Sequence, residues 1–397
     1  MMLDNESWLL PEGIEELLPP QAARLEQLRR KLLDLYYGWG YELVVPPFIE
    51  YLETLLIGTG NDLELQTFKL TDQLTGRMMG VRADMTPQVA RIDSRYLQRE
   101  ALTRLCYMGT VLRTRPAGIA GTRSPLQVGI ELYGHSGAAS DVEVLQLMVE
   151  TLTISGIGQL HIDLGHVGIF RALAQQARLD EQQESVLFDA LQRKARPEIA
   201  HFLADLKLPG QLAPMLAALA ELNGGPEILE QADTILQSGS GEVRAALANL
   251  RKIAEQLQRR IPSIRLHFDL AELRGYRYHT GVVFAVYVPG YSQAVAQGGR
   301  YDDIGRVFGR ARPATGFSTD LKTLISLGPE PDNTTRETIL APADDAPELQ
   351  QLIKKLRDSG ERVINLLPGQ TADKAGPGCV RKLMRRDGEW KVVSLGE

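Results

Sequence analysis

Residues 272–284, which read ELRGYRYHTGVVF, constrain the fold of this chain more than any other segment. A polar turn with two glycines interrupts a strand pattern here, and the apolar strand resumes at Val282. Arginine, tyrosine and histidine side chains fill the turn, and such groups are costly between buried β segments unless they are paired. The turn is therefore either the wall of a binding site or an exposed hairpin tip with satisfied polar groups. This stretch alone leaves both interpretations open.

A second stretch, residues 297–304, reads QGGRYDDI. Together the two stretches resemble histidyl-tRNA synthetase, a class II aminoacyl-tRNA synthetase. In that family an R-G-x-x-Y-Y segment carries the arginine and aromatic residues of the histidine pocket, and a G-G-R-Y-D turn follows. The pattern is long and unusual, so the resemblance is specific. It implies an α+β fold in which helices flank a class II synthetase-like antiparallel sheet.

The N-terminal region adds to this resemblance. Residues 21–37 have the leucine spacing of an amphipathic helix, and residues 41–45 have the pattern of a strand that ends at a proline pair. This order resembles motif 1 of class II synthetases, whose helix and strand form the homodimer interface. An ordinary helix–strand unit explains the segment equally simply when it is taken alone. The resemblance of the whole chain implies self-association as a homodimer through this region.

The composition limits the class of protein. The chain has 397 residues, of which 44% are hydrophobic and 24% charged, so it can hold one large globular domain with one or two small ones. No apolar run is long enough to span a membrane, and the N-terminus lacks a basic region before an apolar stretch. The two cysteines, Cys106 and Cys379, lie in different predicted domains. This excludes a disulfide framework or a cysteine-based zinc site and favours a reduced, cytoplasmic setting.

The charge of the chain argues against a dedicated nucleic-acid binder. The formal net charge is −6, whereas such binders usually carry a basic face or stripe. Two small basic clusters, at residues 29–31 and 381–386, are more typical of solvated helix or hairpin faces. Acidic synthetases exist, so the charge lowers the odds of RNA binding without excluding it. We expect no tRNA partner, no cofactor and no metal.

Changes of pattern divide the chain into four predicted segments. Residues 1–167 and 261–328 predict the two parts of the synthetase-like core, and residues 140–143 have the form of a capping box. Residues 168–260 predict consecutive helices, as in a helical insertion between the two halves of a sheet. Residues 329–397 predict a small C-terminal α/β domain. This domain is too short for the anticodon-binding domain of the synthetase.

The resemblance implies a histidine pocket when the family's motifs are matched residue by residue. Asp84 and Thr86 would hold the ammonium group of the ligand, and Arg274 would face its carboxylate. Gln127 and Glu131 would contact the ammonium group and the imidazole ring, and they lie on one side of a predicted strand because their separation is even. Three tyrosines would form the walls. The implied set is Asp84, Thr86, Tyr107, Gln127, Glu131, Arg274, Tyr276 and Tyr278.

Some of these residues have simpler alternatives, and the pattern also departs from the family. Asp84 fits a helix N-cap, and Glu131 fits a salt bridge on an edge strand. His279 stands where the synthetase has its second aromatic residue, and Arg277 stands where the family has an acidic residue. For any single residue the simpler alternative competes well. All eight residues lie at motif positions of the family, however, and this favours the pocket.

The implied nucleotide site is incomplete. Activation of an amino acid by ATP needs cations where negative charge develops on the α-phosphate. Motif 2 keeps Arg113 but lacks the glutamate that reads adenine, and the loop after it keeps Arg123. In motif 3, Lys322 replaces the glutamate and Thr323 replaces the arginine that clamps the phosphates. Loss of one such cation typically slows the step by about 10²–10³-fold. Arg113, Arg123 and Thr323 are therefore residual nucleotide-site positions.

A synthetase-like chain with a histidine pocket, incomplete ATP motifs and no anticodon domain resembles the regulatory subunits of short-form ATP phosphoribosyltransferase, the first enzyme of histidine biosynthesis. In that family the subunit has no activity of its own. It joins a short catalytic subunit in a hetero-octamer, is required for that subunit's full activity and transmits feedback inhibition by histidine.

Two other functions remain open at this point. A divergent ATP-dependent aminoacyl ligase is supported by the survival of Arg113 and Arg274. A sensor of uncharged tRNA is opposed by the acidic charge of the chain.

Overall fold

The computed structural model describes residues 9–57, 61–116, 121–276, 278–329, 338–371 and 379–395. The chain forms two compact units, Met1–Gly328 and Pro329–Glu397. Within the described ranges, no helix is long and apolar enough to cross a lipid bilayer.

Three sheets contain the strands of the described chain. In chain order the strands are β1 (Glu42–Val44), β2 (Ile49–Tyr51), β3 (Phe68–Thr71), β4 (Met78–Val81), β5 (Thr103–Thr110), β6 (Leu126–Tyr133), β7 (His161–His166), β8 (Asn223–Gly224), β9 (Arg265–Asp269), β10 (Val282–Tyr287), β11 (Ala296–Arg300), β12 (Ala314–Asp320), β13 (Thr338–Ala341), β14 (Arg362–Asn365), β15 (Cys379–Arg386) and β16 (Glu389–Ser394).

The helices flank these sheets or form the predicted insertion. In chain order they are α1 (Gln21–Gly38), α2 (Leu52–Leu55), α3 (Asn61–Gln66), α4 (Thr86–Arg91), α5 (Ala138–Ile154), α6 (Val167–Gln176), α7 (Glu181–Gln192), α8 (Arg196–Leu206), α9 (Leu212–Ala218), α10 (Glu227–Ile235), α11 (Gly241–Arg260), α12 (Leu321–Leu327) and α13 (Pro347–Asp358).

The large sheet of the first unit has the strand order β1-β5-β6-β12-β11-β10-β7-β9-β8. Its neighbours are antiparallel except for β1 with β5 and β7 with β9, which are parallel. A small sheet of order β2-β4-β3 lies between β1 and β5 in the chain. The predicted antiparallel sheet with flanking helices is therefore present.

The two faces of the large sheet have different roles. On β6, Val128, Ile130 and Leu132 belong to one apolar cluster together with residues of α1 and α5, and all three are buried. The residues between them point to the other face because side chains alternate along a strand. That second face carries the polar site described below.

Helices α5 and α1 show how local sequence sets the ends of the elements. The predicted capping box at residues 140–143 is wrong, because α5 already begins at Ala138. The Ser140 hydroxyl instead donates to the carbonyl oxygens of His135 (3.1 Å) and Gly137 (2.8 Å). Helix α1 ends as expected before Gly40, whose φ of 80° lies in the region that glycine favours.

The helical insertion begins directly after β7 and contains α6 to α11. Its buried residues belong to the same apolar cluster as those of the sheet, for example Phe170 with Phe284. The insertion therefore shares a core with the rest of the first unit.

The second unit is a small α/β element with the strand order β14-β13-β15-β16 and one helix, α13. Ile339, Leu349, Ile353 and Leu383 form its core. The hairpin turn between β15 and β16 contains Asp387-Gly388, and both residues have positive φ, as a two-residue hairpin turn requires.

Candidate functional site: a buried polar cluster beside a cavity

The carboxyl group of Glu131 is the centre of the polar site. Glu131 lies on β6 between two neighbouring strands and is only 1% exposed. Tyr107 Oη donates a hydrogen bond to Glu131 Oε1 (3.0 Å), and Tyr301 Oη donates one to Glu131 Oε2. The alternative of a salt bridge on an edge strand is therefore wrong, because the strand is internal and tyrosines hold the carboxyl group.

Gly316 gives this carboxyl group its space. It is the cross-strand partner of Glu131 on β12, and a Cβ atom there would lie 1.6 Å from Glu131 Oε2. No side chain larger than that of glycine fits at this position, so the close approach explains why glycine stands at position 316.

Burial raises the pKa of Glu131 to about 8, although the hydrogen bonds from Tyr301 and Tyr107 oppose the shift. Removal from water penalises the ionised form, and two neutral donors compensate it only in part. At neutral pH the carboxyl group is mostly protonated in this structure, so its charge state can change when a new hydrogen-bonding partner arrives.

Asp84, Thr86 and Gln127 extend the cluster. Gln127 Nε2 donates to Asp84 Oδ1 (2.8 Å), and the same oxygen accepts from Thr86 N (3.0 Å). The hydroxyl groups of Thr86 and Tyr107 lie 3.1 Å apart. The alternative interpretation of Asp84 as a helix N-cap is wrong, because Met85 occupies the N-cap position of α4 and Asp84 precedes it, although its side chain accepts from the amide of Thr86. The structure thus brings together Asp84, Thr86, Tyr107, Gln127 and Glu131.

Tyr278 completes the cluster and leaves one hydrogen-bonding group unused. Its ring stacks on that of Tyr301, with centroids 4.9 Å apart and an interplanar angle of 28°. Its hydroxyl is buried and has no hydrogen-bond partner in the described part of the chain. Burial and then the charge of Glu131 raise the pKa of Tyr278 well above its usual value. A buried unpaired hydroxyl costs about 1–3 kcal/mol, so Tyr278 Oη retains an unused hydrogen-bonding capacity beside Glu131.

A cavity of about 410 Å³ lies beside the cluster and is lined by both Gln127 and Arg274. Arg274 Nη2 donates to Tyr287 Oη (2.9 Å), and its Nη1 donates to Gln297 Oε1 (3.3 Å). Glu272 lies 3.5 Å from the guanidinium group. Arg274 is thus fixed in the cavity wall and presents a cation there, while Gln127 connects the cavity to the buried carboxyl groups.

The expected role of Tyr276 as a pocket wall is corrected by the structure. Its ring contacts Phe170 and Phe188 of the insertion, at centroid distances of 5.3 and 5.4 Å, and its hydroxyl donates to Glu184 Oε1 (2.7 Å). Tyr276 therefore points away from the cluster that Tyr278 joins.

His279 packs inside the polar turn that also carries Arg274 and Tyr278. Its ring is buried, with Nδ1 3.2 Å from the carbonyl oxygen of Arg300, and burial lowers its pKa to about 4. The ring packs edge-on against Tyr278, with centroids 5.2 Å apart. The neutral imidazole of His279 thus helps to position Tyr278. The other departure from the family, Arg277, lies outside the described residues.

The residual nucleotide positions are only partly assembled around the cavity. Arg113 and Thr323 line it, whereas Arg123 does not; the Arg123 guanidinium lies over the Phe68 ring at 5.2 Å, and its Nε donates to the Arg113 carbonyl (3.1 Å). Among the residues that the structure describes, the cations lining the cavity are Arg113 and Arg274.

Thr323 and Lys322 leave the position of the missing arginine without a cation. The Thr323 hydroxyl donates to Asp320 Oδ2 (2.9 Å), which caps α12. Lys322 Nζ lies near Ser124 Oγ (3.2 Å) and Glu15 Oε1 (3.4 Å) and does not line the cavity.

Tyr301 and Tyr133 are site residues that the sequence analysis did not assign. Tyr301 donates to Glu131, and its hydroxyl oxygen lies 3.4 Å from Tyr133 Oη. The G-G-R-Y-D motif contains Tyr301, so that motif was the available signal. Tyr133 could have been found because it follows Glu131 by two residues on one strand face.

Comparisons with known proteins now identify the family. A family model described as histidyl-tRNA synthetase matches residues 13–324, and a model of the ATP phosphoribosyltransferase subunit HisZ C-terminal domain matches residues 336–393. The relative from Thioalkalivibrio sulfidiphilus, an ATP phosphoribosyltransferase regulatory subunit, is 60% identical over 99% of this chain and 100% of its own length. The chain belongs to the family of ATP phosphoribosyltransferase regulatory subunits. A second regulatory subunit, from Alkalilimnicola ehrlichii, is 57% identical over 97% of this chain and 96% of its own.

Solved structures confirm the predicted class II synthetase-like fold. An ATP phosphoribosyltransferase regulatory subunit/histidyl-tRNA synthetase from Bacillus halodurans C aligns with a TM-score of 0.81 and 29% identity, over 92% of this chain and 94% of that one. Histidyl-tRNA synthetase from Nostoc sp. PCC 7120 aligns with a TM-score of 0.78 and 19% identity, over 98% and 97% of the two chains, and shows the fold alone. The family places this chain in histidine biosynthesis.

The raised pKa of Glu131 makes a prediction about stability. In the folded chain the carboxyl group titrates near 8, compared with its ordinary value of 4.5, so the folded state binds an extra proton between these values. That contribution to stability is complete below pH 4.5 and is lost as the pH rises toward 8. Glu131→Gln removes it. We expect the free energy of unfolding of the variant, relative to the parent chain, to increase from pH 5 to pH 8.

Denaturant unfolding at a series of pH values measures this difference. Glu143→Gln is the control, because Glu143 of α5 also accepts from a tyrosine hydroxyl, that of Tyr41, but is paired with Arg104, whereas Glu131 is buried without a cation. A Glu131→Gln variant whose relative stability is constant over this range would contradict the buried, protonated carboxyl group.

Proposed function

We propose that this chain is a histidine-binding regulatory subunit of short-form ATP phosphoribosyltransferase and has no catalytic activity of its own. Relatives named as ATP phosphoribosyltransferase regulatory subunits align with this chain over 96–100% of their own length. The observation that supports histidine as the ligand is the buried Glu131 carboxyl group beside the unpartnered Tyr278 hydroxyl, close to a cavity that presents Arg274.

The three polar parts of free histidine match three parts of the site. The ammonium group suits the oxygens of Asp84 and Gln127, and the carboxylate suits the cation of Arg274. The imidazole carries a donor and an acceptor nitrogen, which suit Glu131 and the Tyr278 hydroxyl. A ligand without the imidazole would leave these buried groups unpaired, at a cost of about 1–3 kcal/mol, so the site discriminates for histidine.

Activation of histidine by ATP is not expected. The transition state of adenylation needs cations around the phosphate that is attacked. Thr323 offers a hydroxyl that is already bonded to Asp320, and Lys322 is turned to Glu15. The chain therefore keeps the groups that recognise an amino acid without the full set that would activate it.

Regulation follows from assembly with a short catalytic subunit, which we place in a hetero-octamer. Histidine inhibits if it binds one state of that complex more tightly than another, typically by about 1–3 kcal/mol, and the coupling is reciprocal.

We further propose a homodimer through the motif 1 region. Strand β1 lies at the edge of the large sheet, and Leu43, Val45 and Phe48 in and after it are exposed. An exposed apolar strip beside an open strand edge is typical of an interaction surface.

One observation favours a second function, that of a divergent ATP-dependent aminoacyl ligase. Arg113 and Arg274 line the same cavity, so two of the three cations used by the synthetase family are in place. The exchange assay below separates the two functions.

Replacement of Glu131 by glutamine should weaken histidine binding. Glutamine has no proton to lose, so it cannot become the carboxylate that accepts a charge-assisted hydrogen bond from an imidazole N–H group when histidine binds. We expect the dissociation constant to rise about tenfold or more. Isothermal titration calorimetry measures this change, and Glu143→Gln again serves as the control. Equal affinity of the Glu131→Gln and parent chains would reject the assignment of the pocket.

The purified chain should not form histidyl-adenylate. We expect no exchange of pyrophosphate into ATP that depends on histidine, because the cation replaced by Thr323 is missing. A histidyl-tRNA synthetase assayed under the same conditions is the positive control. Exchange that requires both histidine and ATP would establish the ligase function.

The chain should co-purify with a short ATP phosphoribosyltransferase and raise its activity. Addition of histidine should then lower the rate of the complex. Assays of the catalytic subunit alone, of the complex, and of the complex with histidine measure both effects. A catalytic subunit that neither binds this chain nor responds to it would refute the regulatory function.

A further inference from the structure

The turn that carries Arg274, Tyr278 and His279 is bonded to the helical insertion; we call its described residues, 274–276 and 278–281, the ligand turn. Arg171 of α6 donates from Nη2 to the carbonyl oxygens of Tyr276 and His279, both at 2.9 Å. The first residue of α6, Val167, donates its amide to the carbonyl of Gly281 (3.0 Å). Helix α6 therefore holds the ligand turn at its middle and at its end.

Helix α7 holds the same turn through a side chain. The Tyr276 hydroxyl donates to Glu184 of α7 (2.7 Å), and its ring lies between Phe170 of α6 and Phe188 of α7. The guanidinium carbon of Arg171 lies 4.9 Å from the centre of the Tyr276 ring. The Tyr276 side chain thus connects the ligand turn to α6 and α7 of the helical insertion.

The side chains of the ligand turn point either to the candidate site or to the helical insertion. Arg274 extends to the cavity wall, and Tyr278 stacks on Tyr301 beside Glu131. Tyr276, between them in sequence, enters the insertion. A displacement of the backbone that brings Tyr278 or Arg274 to a ligand also moves the carbonyl groups that Arg171 holds. The ligand side and the insertion side cannot adjust independently.

We propose that Arg171 and Tyr276 are positioning residues that couple the occupancy of the ligand site to the local stability of α6 and α7. The proposal rests on the proposed binding of histidine and goes beyond it, because it names the element that responds. A ligand that fixes Tyr278 and Arg274 also fixes the backbone carbonyl groups that Arg171 of α6 binds. It fixes the Tyr276 ring as well, against which α6 and α7 pack. Local opening of the insertion then becomes less frequent, and by reciprocity an insertion that is held closed favours the filled site.

A purely structural anchor makes a different prediction. If the ligand turn has the same conformation and order with and without histidine, the contacts of Arg171 and Tyr276 stabilise the insertion equally in both cases. The two roles therefore differ only in the response of the insertion to the ligand, and a change in overall stability does not separate them.

Amide hydrogen exchange of the full chain tests the coupling. Calorimetry first gives the histidine concentration that saturates each variant, and exchange is then compared with and without saturating histidine. In the parent chain we expect amides of α7 around Glu184 and Phe188 to exchange about fivefold or more slowly with histidine. In Tyr276→Phe and in Arg171→Lys we expect most of this slowing to disappear. The first variant loses the bond to Glu184. The second loses the planar guanidinium group that lies over the Tyr276 ring and places Nη2 against both carbonyl groups.

Arg193→Gln is the matched control and should keep the full slowing, because Arg193 pairs with Glu198 on the exposed side of the insertion, away from the ligand turn. Saturation of the parent chain without slower exchange in α7 would overturn the coupling and leave the proposed function intact. Full slowing in both Tyr276→Phe and Arg171→Lys would overturn it too. Absence of histidine binding to the parent chain would remove the coupling together with the proposed function.

Discussion

The burial of the Glu131 carboxyl group without a cation is the constraint on which the site depends. In the described chain its hydrogen-bond donors are two tyrosine hydroxyls, and the raised pKa shows that they do not fully replace water. A protein tolerates such a group where a ligand makes use of it, because perturbed carboxyl groups in a polar cluster beside a cavity are typical of functional sites. The glycine at position 316 is needed for the same reason, since any Cβ there would collide with this carboxyl group.

The site and the core are built on the same strands, so neither can change register alone. On β6 the apolar residues Val128, Ile130 and Leu132 face the helices, and Gln127 and Glu131 alternate with them on the other face. A slip of one residue against β12 would bury polar groups in the core and remove Gly316 from its place opposite Glu131. Packing of the apolar face therefore fixes the geometry of the polar one.

The sequence predicted most of the fold and the centre of the site, and its failures have physical causes. Asp84, Gln127 and Glu131 were predictable because each lies in a short motif whose backbone is regular, a helix start or a strand. Tyr276 was misplaced because directions in an irregular turn follow no period, and the partners that decide it lie about a hundred residues earlier in α6 and α7. The capping box failed because α5 begins earlier and the Ser140 hydroxyl bonds the nearby carbonyl groups of His135 and Gly137 and accepts from Arg300 (2.8 Å).

Asp320 bears on the proposed preference of the cavity for an amino acid over a nucleotide. Its carboxyl group accepts from the amides of Leu126 and Lys322 and from the hydroxyl of Thr323, and burial raises its pKa. An arginine at position 323 would have added a third positive charge to those of Arg113 and Arg274, which a triphosphate requires and a free amino acid does not. With threonine there, the Thr323 hydroxyl bonds the capping residue Asp320 within α12 itself. The cations of the described cavity wall are then two, Arg113 and Arg274. A zwitterion needs one cation for its carboxylate and acceptors for its ammonium group, whereas a polyphosphate needs several cations at once. Threonine at this helix start thus leaves the cavity with enough cations for the proposed recognition of an amino acid and with fewer than its activation would need.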